Sequence, residues 1–278
     1  MKAWKKTKDA AEVKKENDKK RKTIMRTIAI INLKGGVAKT TSSINIAYIL
    51  STKGKRVLLV DNDKQGDCSR GMNRRTQEGA GIDKIMVDKK PDMVSLIQKQ
   101  ITRNLDVITA NLNLLTANME VTMDRVRPQQ TRLKNALQQV KDNYDYCVID
   151  NAPDINVSVI NALTAADDVL IPVEVDDNTT EGMDELLDQI DEIKCELNPD
   201  LENVKCFISK YNKYNEAHSQ GAEIIRKWYP TMETVIRNSL AVAKSTYART
   251  PVVLYSKRSA AAEDYQTLVE EYLRMIGR

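Results

Sequence analysis

The chain has 278 residues, of which 41% are hydrophobic and 5% aromatic, and its formal net charge is +4 at pH 7. This length suits one large α/β domain or two small ones, with a core formed mostly by aliphatic side chains. No apolar run approaches the ~18 residues of a membrane span, and no apolar segment follows the basic N-terminus as a signal peptide requires. The four cysteines are scattered and His218 is the single histidine, which argues against a Cys/His metal site.

The basic charge is concentrated at the N-terminus. Residues 1–22 carry ten Lys or Arg and four Asp or Glu, hence +6, so the rest of the chain sums to −2. Because it has few apolar side chains beyond Trp4 and Val13, the segment 1–25 is predicted to be a flexible extension without a core of its own. It is either a tether for DNA phosphates or anionic lipid, or a solubilising leader, and both interpretations stay open.

The remaining chain alternates strand-like and helical patterns. Strands are predicted at 27–33, 56–61, 105–109, 146–150, 169–175, 204–209, 234–236 and 252–255. Helices are predicted at 41–53, 93–100, 129–141, 157–166, 182–196, 217–228 and 261–276. Most of the strands are continuous apolar runs, which is typical of parallel strands covered on both faces. Residues 26–278 are therefore predicted to form a single α/β domain, doubly wound around a mostly parallel sheet with helices on both faces, with a polar excursion at 71–92.

The first strand is followed by a glycine turn, Lys-Thr and a helix, in the sequence INLKGGVAKTTSSINIA at 31–47. This is the layout of a phosphate-binding loop, where backbone N–H groups and the positive end of a helix converge on an anion. Lys39 is placed to contact the β- and γ-phosphates, and Thr40 to offer its hydroxyl to Mg²⁺. The loop departs from the strict pattern because Leu33 and Ala38 stand where glycine is expected. If Ala38 must adopt a positive φ, it costs about 1 kcal/mol; at a negative φ its methyl group must only fit.

The eight residues KGGVAKTT at 34–41 resemble the deviant Walker A loop, K-G-G-x-G-K-[ST]-[ST], of the ParA/MinD ATPases. The resemblance implies that ATP is bound by Lys34, Gly35, Gly36, Val37, Ala38, Lys39, Thr40 and Thr41. It also implies a catalytic contribution from Lys39 and from Lys34, since in that family the first lysine of the loop crosses a dimer interface to the partner's nucleotide.

A second match follows the next strand, where the chain reads DNDKQGD at 61–67. Acids at the carboxyl end of a buried parallel strand lie where such sheets bind ligands, although many polar loops there only face solvent. ParA-type proteins carry D-x-D-P-Q-G-N at this place, and the resemblance implies that Asp63 orients the attacking water. Lys64 and Asp67 replace the family's proline and asparagine, which leaves the rigidity of the loop and the rate of hydrolysis open.

A third match is DYCVIDNAP at 145–153, an apolar strand that ends in an acid. Asp150 can hold a water in the shell of Mg²⁺, and the segment resembles the Walker B block D-Y-I-I-I-D-x-P-P of the family. The candidate metal residues are Thr40, Asp63 and Asp150. The continuation NALTAAD and IPV also matches, so the resemblance runs from about residue 26 to 272.

The segment 235–259 resembles the I-P-R-N…E-A-P-S…G-K-P region of the family, with substitutions. In the family this region frames the adenine base and presents basic residues to DNA, which implies base contacts from Arg237 and Asn238. Lysine and arginine contact phosphates without reading sequence, but an ordinary solvated face has the same composition. The candidate DNA-contacting residues are Arg226, Lys227, Lys244, Arg249, Lys257 and Arg258.

The resemblance implies a ParA-like ATPase that partitions a plasmid or other mobile element, in the bacterial cytoplasm and bound to the nucleoid. ATP and Mg²⁺ would close a homodimer that binds DNA without sequence preference, and a ParB-like centromere-binding protein would stimulate hydrolysis. One alternative is a MinD-like membrane ATPase, but four acids within 263–271 of the last predicted helix would repel anionic lipid. Another is a metabolic P-loop enzyme such as a synthetase, for which no acid–base constellation is visible.

Overall fold

A computed structural model describes residues 25–74, 80–176 and 179–278. The predicted extension therefore lies outside the described residues except for Met25, whose side chain is buried. The described part contains eight strands: β1 (Arg26–Ile30), β2 (Val57–Asn62), β3 (Ile97–Thr102), β4 (Leu105–Ile108), β5 (Tyr146–Asn151), β6 (Asp168–Glu174), β7 (Asn203–Tyr211) and β8 (Thr231–Arg237).

Helical segments connect these strands. In chain order they are α1 (Lys39–Thr52), α2 (Asp67–Gly71), α3 (Ile82–Val87), α4 (Met93–Leu96), α5 (Asn113–Met123), α6 (Arg132–Gln138), α7 (Val157–Ala165), α8 (Thr179–Glu196), α9 (Glu216–Trp228), α10 (Leu240–Tyr247), α11 (Val252–Tyr255) and α12 (Ala260–Met275). Within the described ranges, no helix is both long and apolar enough to cross a membrane.

The strands form one sheet in the order β3-β4-β2-β5-β1-β6-β7-β8. Every neighbouring pair is parallel except β3 with β4, which is antiparallel and lies at the edge. Since β1 is central and the later strands are added on both sides of it, the sheet is doubly wound. The predicted α/β fold with a mostly parallel sheet is confirmed.

Side chains from successive strand residues enter cores on opposite faces of the sheet, as the two-residue period of a strand requires. On one face, Ile28 and Ile30 of β1 pack with α1, α11 and α12. On the other face, Ala29 and Ile31 pack with α7, α8 and α9, and a neighbouring cluster joins β2 and β5 to α3, α5 and α6. Helices thus cover both faces, and this explains why the central strands read as continuous apolar runs.

Two predicted elements are wrong. The predicted strand at 252–255 is the helical turn α11, in which the N–H groups of Leu254 and Tyr255 both donate to the Pro251 carbonyl at 2.9 Å. The predicted helix at 93–100 ends at Leu96, and the chain continues as the edge strand β3 paired with β4. In both places long-range packing outweighs the local preference of the residues.

Other elements were not predicted at all. Helix α5 has its buried residues Leu114, Ala117 and Val121 at helical spacing, but apolar residues on its exposed side obscure the period. Helix α10 was likewise missed. The excursion predicted at 71–92 contains α3, whose Ile82 and Met86 are fully buried in the core, while residues 75–79 lie outside the described chain.

Ala38, the residue before α1, adopts the left-handed conformation with φ 72° and ψ 27°. The alternative left open by the sequence is therefore decided in favour of positive φ. A β-carbon in this region contacts the following carbonyl group, which costs roughly 1–2 kcal/mol for a residue other than glycine. The turn consequently stores strain directly before the helix.

We predict that Ala38→Gly stabilises the protein by up to about 1 kcal/mol. Glycine removes the left-handed penalty, and the added freedom of the unfolded chain offsets only part of the gain, about 0.4–1 kcal/mol. Urea unfolding measures the difference. The control is Ala47→Gly, at a fully buried position inside α1, which should destabilise by about 1 kcal/mol or more. A loss of stability in Ala38→Gly would contradict the strained turn.

Candidate nucleotide site

The loop between β1 and α1 is held from two neighbouring strands. The Asn32 amide donates to the Pro172 carbonyl on β6 at 2.8 Å, and its oxygen accepts from the Lys34 N–H at 2.9 Å. On the same side of β1, the Ser209 hydroxyl near the end of β7 donates to the Val37 carbonyl at 2.9 Å. Gly36 has φ 79° and open space around its Cα, so the turn there demands glycine for its conformation. The loop is therefore a fixed cradle at the carboxyl edge of the sheet.

Helix α1 begins without a capping side chain. Ala38 occupies the N-cap position, no side-chain hydrogen bond caps the helix, and its first turn has no acidic residue. A helix start has N–H groups without partners in the helix and carries a partial positive charge. The first N–H groups, at Lys39, Thr40 and Thr41, are thus arranged to bind an anion.

Lys39 directs its charge into the same region. Its side chain is buried, and the ammonium donates to the Lys34 carbonyl at 2.8 Å. Burial lowers the pKa of Lys39, while the nearby charges of Asp150 and Asp63 partly offset this shift. A buried ammonium with one hydrogen bond to its own loop favours a further anionic partner.

Asp150 is the penultimate residue of β5 and lies beside the loop. It is paired in register with Ile30 of β1 and with Asp61 of β2, and its Oδ1 accepts from the Ser43 hydroxyl of α1 at 2.8 Å. Burial raises the pKa of Asp150 to about 8, the charge of Asp61 adds to the shift, and the hydroxyls of Ser43 and Thr40 oppose it. Its Oδ2 is buried without a hydrogen-bond partner in the described chain.

The other two acids of this edge have different environments. Asp61 is fully buried, and one oxygen accepts from the Ser69 N–H and hydroxyl at 2.7 and 2.6 Å, so it anchors α2. Burial raises the pKa of Asp61 to about 6. Asp63 is only half-buried; its Oδ1 accepts from the Gln65 N–H at 2.9 Å, and its pKa is raised by burial. Asp63 therefore keeps an oxygen available at the edge where Asp61 does not.

A buried amide pair links the ends of β2 and β5. The Asn62 amide donates to the Asn151 Oδ1 at 2.8 Å and to the Ser158 carbonyl at 3.0 Å. Asn151 in turn donates to the Ile30 carbonyl at 3.1 Å. The loop that carries Asp63 and the strand end that carries Asp150 are thus joined through the two asparagines that stand next to these acids.

Lys34 lies at the rim of the loop. Its side chain is 40% exposed, and its ammonium pairs with Asp176, which follows β6 and is 39% exposed. An ion pair this exposed contributes little to stability, roughly 0–1 kcal/mol. Lys34 is therefore held within its own chain by an interaction that can be exchanged at low cost.

Of the predicted base contacts, Arg237 is the last residue of β8 and Asn238 follows it. The Arg237 guanidinium is bound to Asp264 of α12, at 2.6 Å from Nη2 to Oδ1, and it also donates to the Ala260 carbonyl. Asn238 donates its N–H to the Tyr211 carbonyl at 2.8 Å. Because Ser209 of the same strand end contacts the loop, these residues are tied to the loop through β7, with the Arg237 side chain occupied by α12.

The predicted DNA-contacting residues are all exposed. Arg226 and Lys227 lie on α9, where the Lys227 ammonium is 5.7 Å from the Trp228 ring centre. Lys244 lies on α10 and Arg249 just after it, while the last two, Lys257 and Arg258, precede α12. The residues thus divide between α9 and the chain from α10 to α12.

Sequence reasoning missed the partners of the predicted residues. Ser43 lies one helical turn after Lys39, and Ser69 lies eight residues after Asp61, so their closeness to the motifs in sequence is a signal that could have identified them. Ser209 and Asp176 are more than 130 residues from the loop they contact, and no local pattern marks them.

The residues present fit a magnesium ion shared with phosphate oxygens. Within the described ranges, no group of three or more His, Cys, Asp or Glu could hold a metal ion alone. Mg²⁺ usually binds one or two carboxylates, a substrate phosphate and several waters, so such a cluster is not required. The unpartnered Oδ2 of Asp150, beside Thr40 and the uncapped helix start, is the kind of ligand that this arrangement needs.

Comparison with known proteins places the chain among partition proteins. The AAA domain family matches residues 25–203. The Soj sporulation initiation inhibitor protein of Bacillus subtilis is 36% identical over 249 residues, covering 88% of this chain and 97% of that protein. The chromosome partitioning protein ParA of Caulobacter vibrioides is 32% identical over 254 residues, covering 90% and 94%.

A solved structure agrees with these relatives. The putative plasmid partition protein of Borrelia burgdorferi, crystallised with AMPPNP, superposes with a TM-score of 0.76 at 25% identity, covering 90% of this chain and 99% of that one. The relatives match almost end to end, and the matched region includes the loop at 34–41. The chain belongs to the ParA-type family of P-loop partition ATPases.

Proposed function

We propose that this partition ATPase binds ATP with Mg²⁺ at the loop 34–41 and uses it to close a homodimer that holds DNA. The observation that carries the proposal is the uncapped start of α1, with buried Lys39 and the unpartnered Oδ2 of Asp150 beside it. The AMPPNP bound to the Borrelia partition protein supports an adenine nucleotide here. In the nucleotide complex, the N–H groups of the loop and Lys39 neutralise the phosphates.

In this proposal, the residues that hold the metal ion differ from the residue that orients the attacking water. Thr40 and Asp150 would hold Mg²⁺, Asp150 through a coordinated water, and the ion would withdraw charge from the phosphates. Asp63 would accept a proton from the attacking water or orient it, which suits a half-buried carboxylate with raised pKa. Hydrolysis of this kind depends on positioning and charge neutralisation more than on covalent chemistry.

Dimer closure would transfer Lys34 from Asp176 to the nucleotide of the partner subunit. The pairing with Asp176 is half-exposed, so the exchange is energetically small, whereas a triphosphate offers a larger negative charge. Lys34 would thus connect the presence of ATP in one subunit to the position of the other. Release follows hydrolysis, since the γ-phosphate is then lost.

DNA binding is proposed for the exposed basic residues between α9 and α12, with a ParB-like protein as the partner that stimulates turnover. The names of the Soj and ParA relatives support a role in partition. The predicted residues would contact phosphates without sequence preference, and the nucleoid would be the location. The basic extension at 1–25 would add to the same attraction.

The MinD-like alternative is disfavoured by α12. A membrane-binding helix needs an apolar face free to enter lipid. In α12 that face is buried, with Tyr265, Leu268 and Tyr272 each at most 1% exposed in the core. The exposed side retains the acids that repel anionic lipid. In the described part of the chain, no arrangement of residues favours the synthetase alternative over the partition proposal.

The first prediction separates binding from hydrolysis. Lys39→Ala should abolish ATP binding, because the phosphates lose the buried ammonium. Asp63→Ala should keep ATP-dependent dimers and lose turnover by about 100-fold or more, since the attacking water is no longer oriented. Binding is measured with AMP-PNP, and turnover by phosphate release.

Asp67→Ala is the control, because it removes the nearby acid at the first residue of α2, which pairs with Arg70, and it should retain turnover. Normal hydrolysis by Asp63→Ala would refute the role assigned to Asp63.

The second prediction concerns the ion pair between Lys34 and Asp176. Asp176→Asn should lower the ATP concentration at which dimers form, by up to about fivefold, because an ion pair worth at most about 1 kcal/mol no longer competes with the nucleotide. Sedimentation across an ATP series measures the midpoint. Glu174→Gln, which breaks the neighbouring pair with Lys210, is the control and should leave the midpoint in place. A higher midpoint in Asp176→Asn would mean that Asp176 supports the closed dimer.

The third prediction tests DNA binding. Retention on non-specific DNA should require ATP and fall steeply with salt, because each lysine or arginine on a phosphate releases counterions. Lys257→Glu with Arg258→Glu should reduce both retention and the salt slope. Lys134→Glu on α6 is the control and should have little effect.

The same assay on a chain that starts at Met25 measures the share of the extension. Equal retention with ATP, with ADP and without nucleotide would contradict the proposed cycle.

A further inference from the structure

Ser209 stands out among residues outside the predicted site. It is fully buried at the end of β7, 172 positions along the chain from Val37, and its hydroxyl donates to the Val37 carbonyl at 2.9 Å. A buried hydroxyl needs a partner, but the partner here is a carbonyl of the phosphate loop and not one of the neighbouring helix or strand. The contact therefore fixes the orientation of one particular peptide unit.

That peptide unit joins Val37 to Ala38. In a trans peptide, the C=O and N–H bonds point in opposite directions. Because the Val37 carbonyl points toward Ser209, the Ala38 N–H points away from Ser209. No hydrogen bond within residues 25–74, 80–176 and 179–278 uses the Ala38 N–H. It is thus left available on the side where the N–H groups of α1 begin.

The same peptide leads into the strained residue. Ala38 has φ 72°, a conformation that alanine leaves readily when nothing holds it. If Ala38 relaxed to a negative φ, the peptide before it would rotate and its N–H would no longer face the anion. A glycine would hold this conformation without strain, as the family pattern has it. Alanine needs an external restraint, and the described chain supplies one in Ser209.

We propose that Ser209 is a positioning residue for nucleotide binding, which locks the Val37–Ala38 peptide so that the Ala38 N–H faces the phosphates despite its β-carbon. The inference rests on the proposed function. It adds that the requirement for Ser209 is set by Ala38: replacing Ala38 with glycine makes the lock largely unnecessary. Ser209 acts through the loop and does not itself touch the nucleotide.

The test is a double-mutant cycle between Ser209→Ala and Ala38→Gly. In the full-length protein, Ser209→Ala should weaken AMP-PNP binding with Mg²⁺ by about fivefold, which corresponds to one lost hydrogen bond. KM for ATP should rise in parallel while kcat stays nearly constant, because bound phosphates hold the loop at saturation. In the Ala38→Gly background the same change should weaken binding less than about twofold. Ser209→Thr, which keeps the hydroxyl, should bind like the unmodified protein.

The control is Ser51→Ala. Ser51 is also buried, and its hydroxyl also donates to a backbone carbonyl, that of Tyr48 at 2.7 Å. It lies about 18 Å along α1 from Lys39, so its loss should lower stability without changing AMP-PNP affinity. Unchanged affinity in Ser209→Ala, or a loss that Ala38→Gly does not reduce, would overturn the proposal.

If the unmodified chain binds no AMP-PNP, that result contradicts the proposed function. The inference about Ser209 can then still be tested by urea unfolding without nucleotide. The increase in urea midpoint produced by Ala38→Gly should shrink by about half or more when Ser209 is already alanine, because an unlocked loop has released the strain. Full additivity of the two changes would show that Ser209 does not hold Ala38 in place.

Discussion

The first turn of α1 is the constraint on which the site depends. A helix start leaves several N–H groups without partners in the helix, and most proteins satisfy them with a Ser, Thr, Asp or Asn cap. Here the cap position holds Ala38, which has no polar side chain and is strained in the left-handed region. The arrangement stabilises the free protein less than a capped helix would. An anion that accepts from these N–H groups takes the place of the missing cap, so binding of the anion stabilises the first turn of α1.

The two buried carboxylates on β2 and β5 illustrate how one sheet edge provides both structure and chemistry. Asp61 and Asp150 are paired in register and both are fully or almost fully buried, yet their oxygens are used differently. Asp61 accepts from the chain and anchors α2, whereas Asp150 leaves Oδ2 without a partner. A buried acid fully satisfied by its own chain has nothing left for a cation. The unsatisfied acid is the one that a metal ion can compensate, and the same strand geometry places it beside Lys39.

The sequence predicted the sheet well because parallel strands covered on both faces are apolar along most of their length, as are the first four residues of β2 and of β5. It failed where that rule does not hold. The segment 252–255 contains Val252 and Val253, whose branched side chains favour strands, but Pro251 and burial against α12 make it a helical turn. Helix α5 was not predicted because Leu115, Met119 and Met123 are exposed, so its apolar residues do not fall on one face.

In the site, too, local motifs predicted some features and not others. Lys39, Thr40 and Asp150 could be proposed as site residues because their positions follow from local motifs at strand ends. The conformation of Ala38 could not be decided, since it depends on contacts that the loop makes with distant strands. Asp176, which follows β6, and Ser209, on β7, make such contacts. Local sequence specifies which groups are present at the edge, and the sheet order determines which of them meet.

Charge balance gives the proposed cycle its direction. Lys39 is surrounded by the carboxylates of Asp63, Asp150 and Asp154, and Lys34 is already paired with Asp176. A triphosphate brought to this edge adds several negative charges to a region that one subunit does not neutralise alone. Mg²⁺ and a lysine from a second subunit are the positive charges that the proposal supplies, and both attractions are strongest in the closed, water-poor interface. Under the proposal, loss of the γ-phosphate would remove the charge that holds the second lysine, so the charge balance that favours closure with ATP would favour opening after hydrolysis.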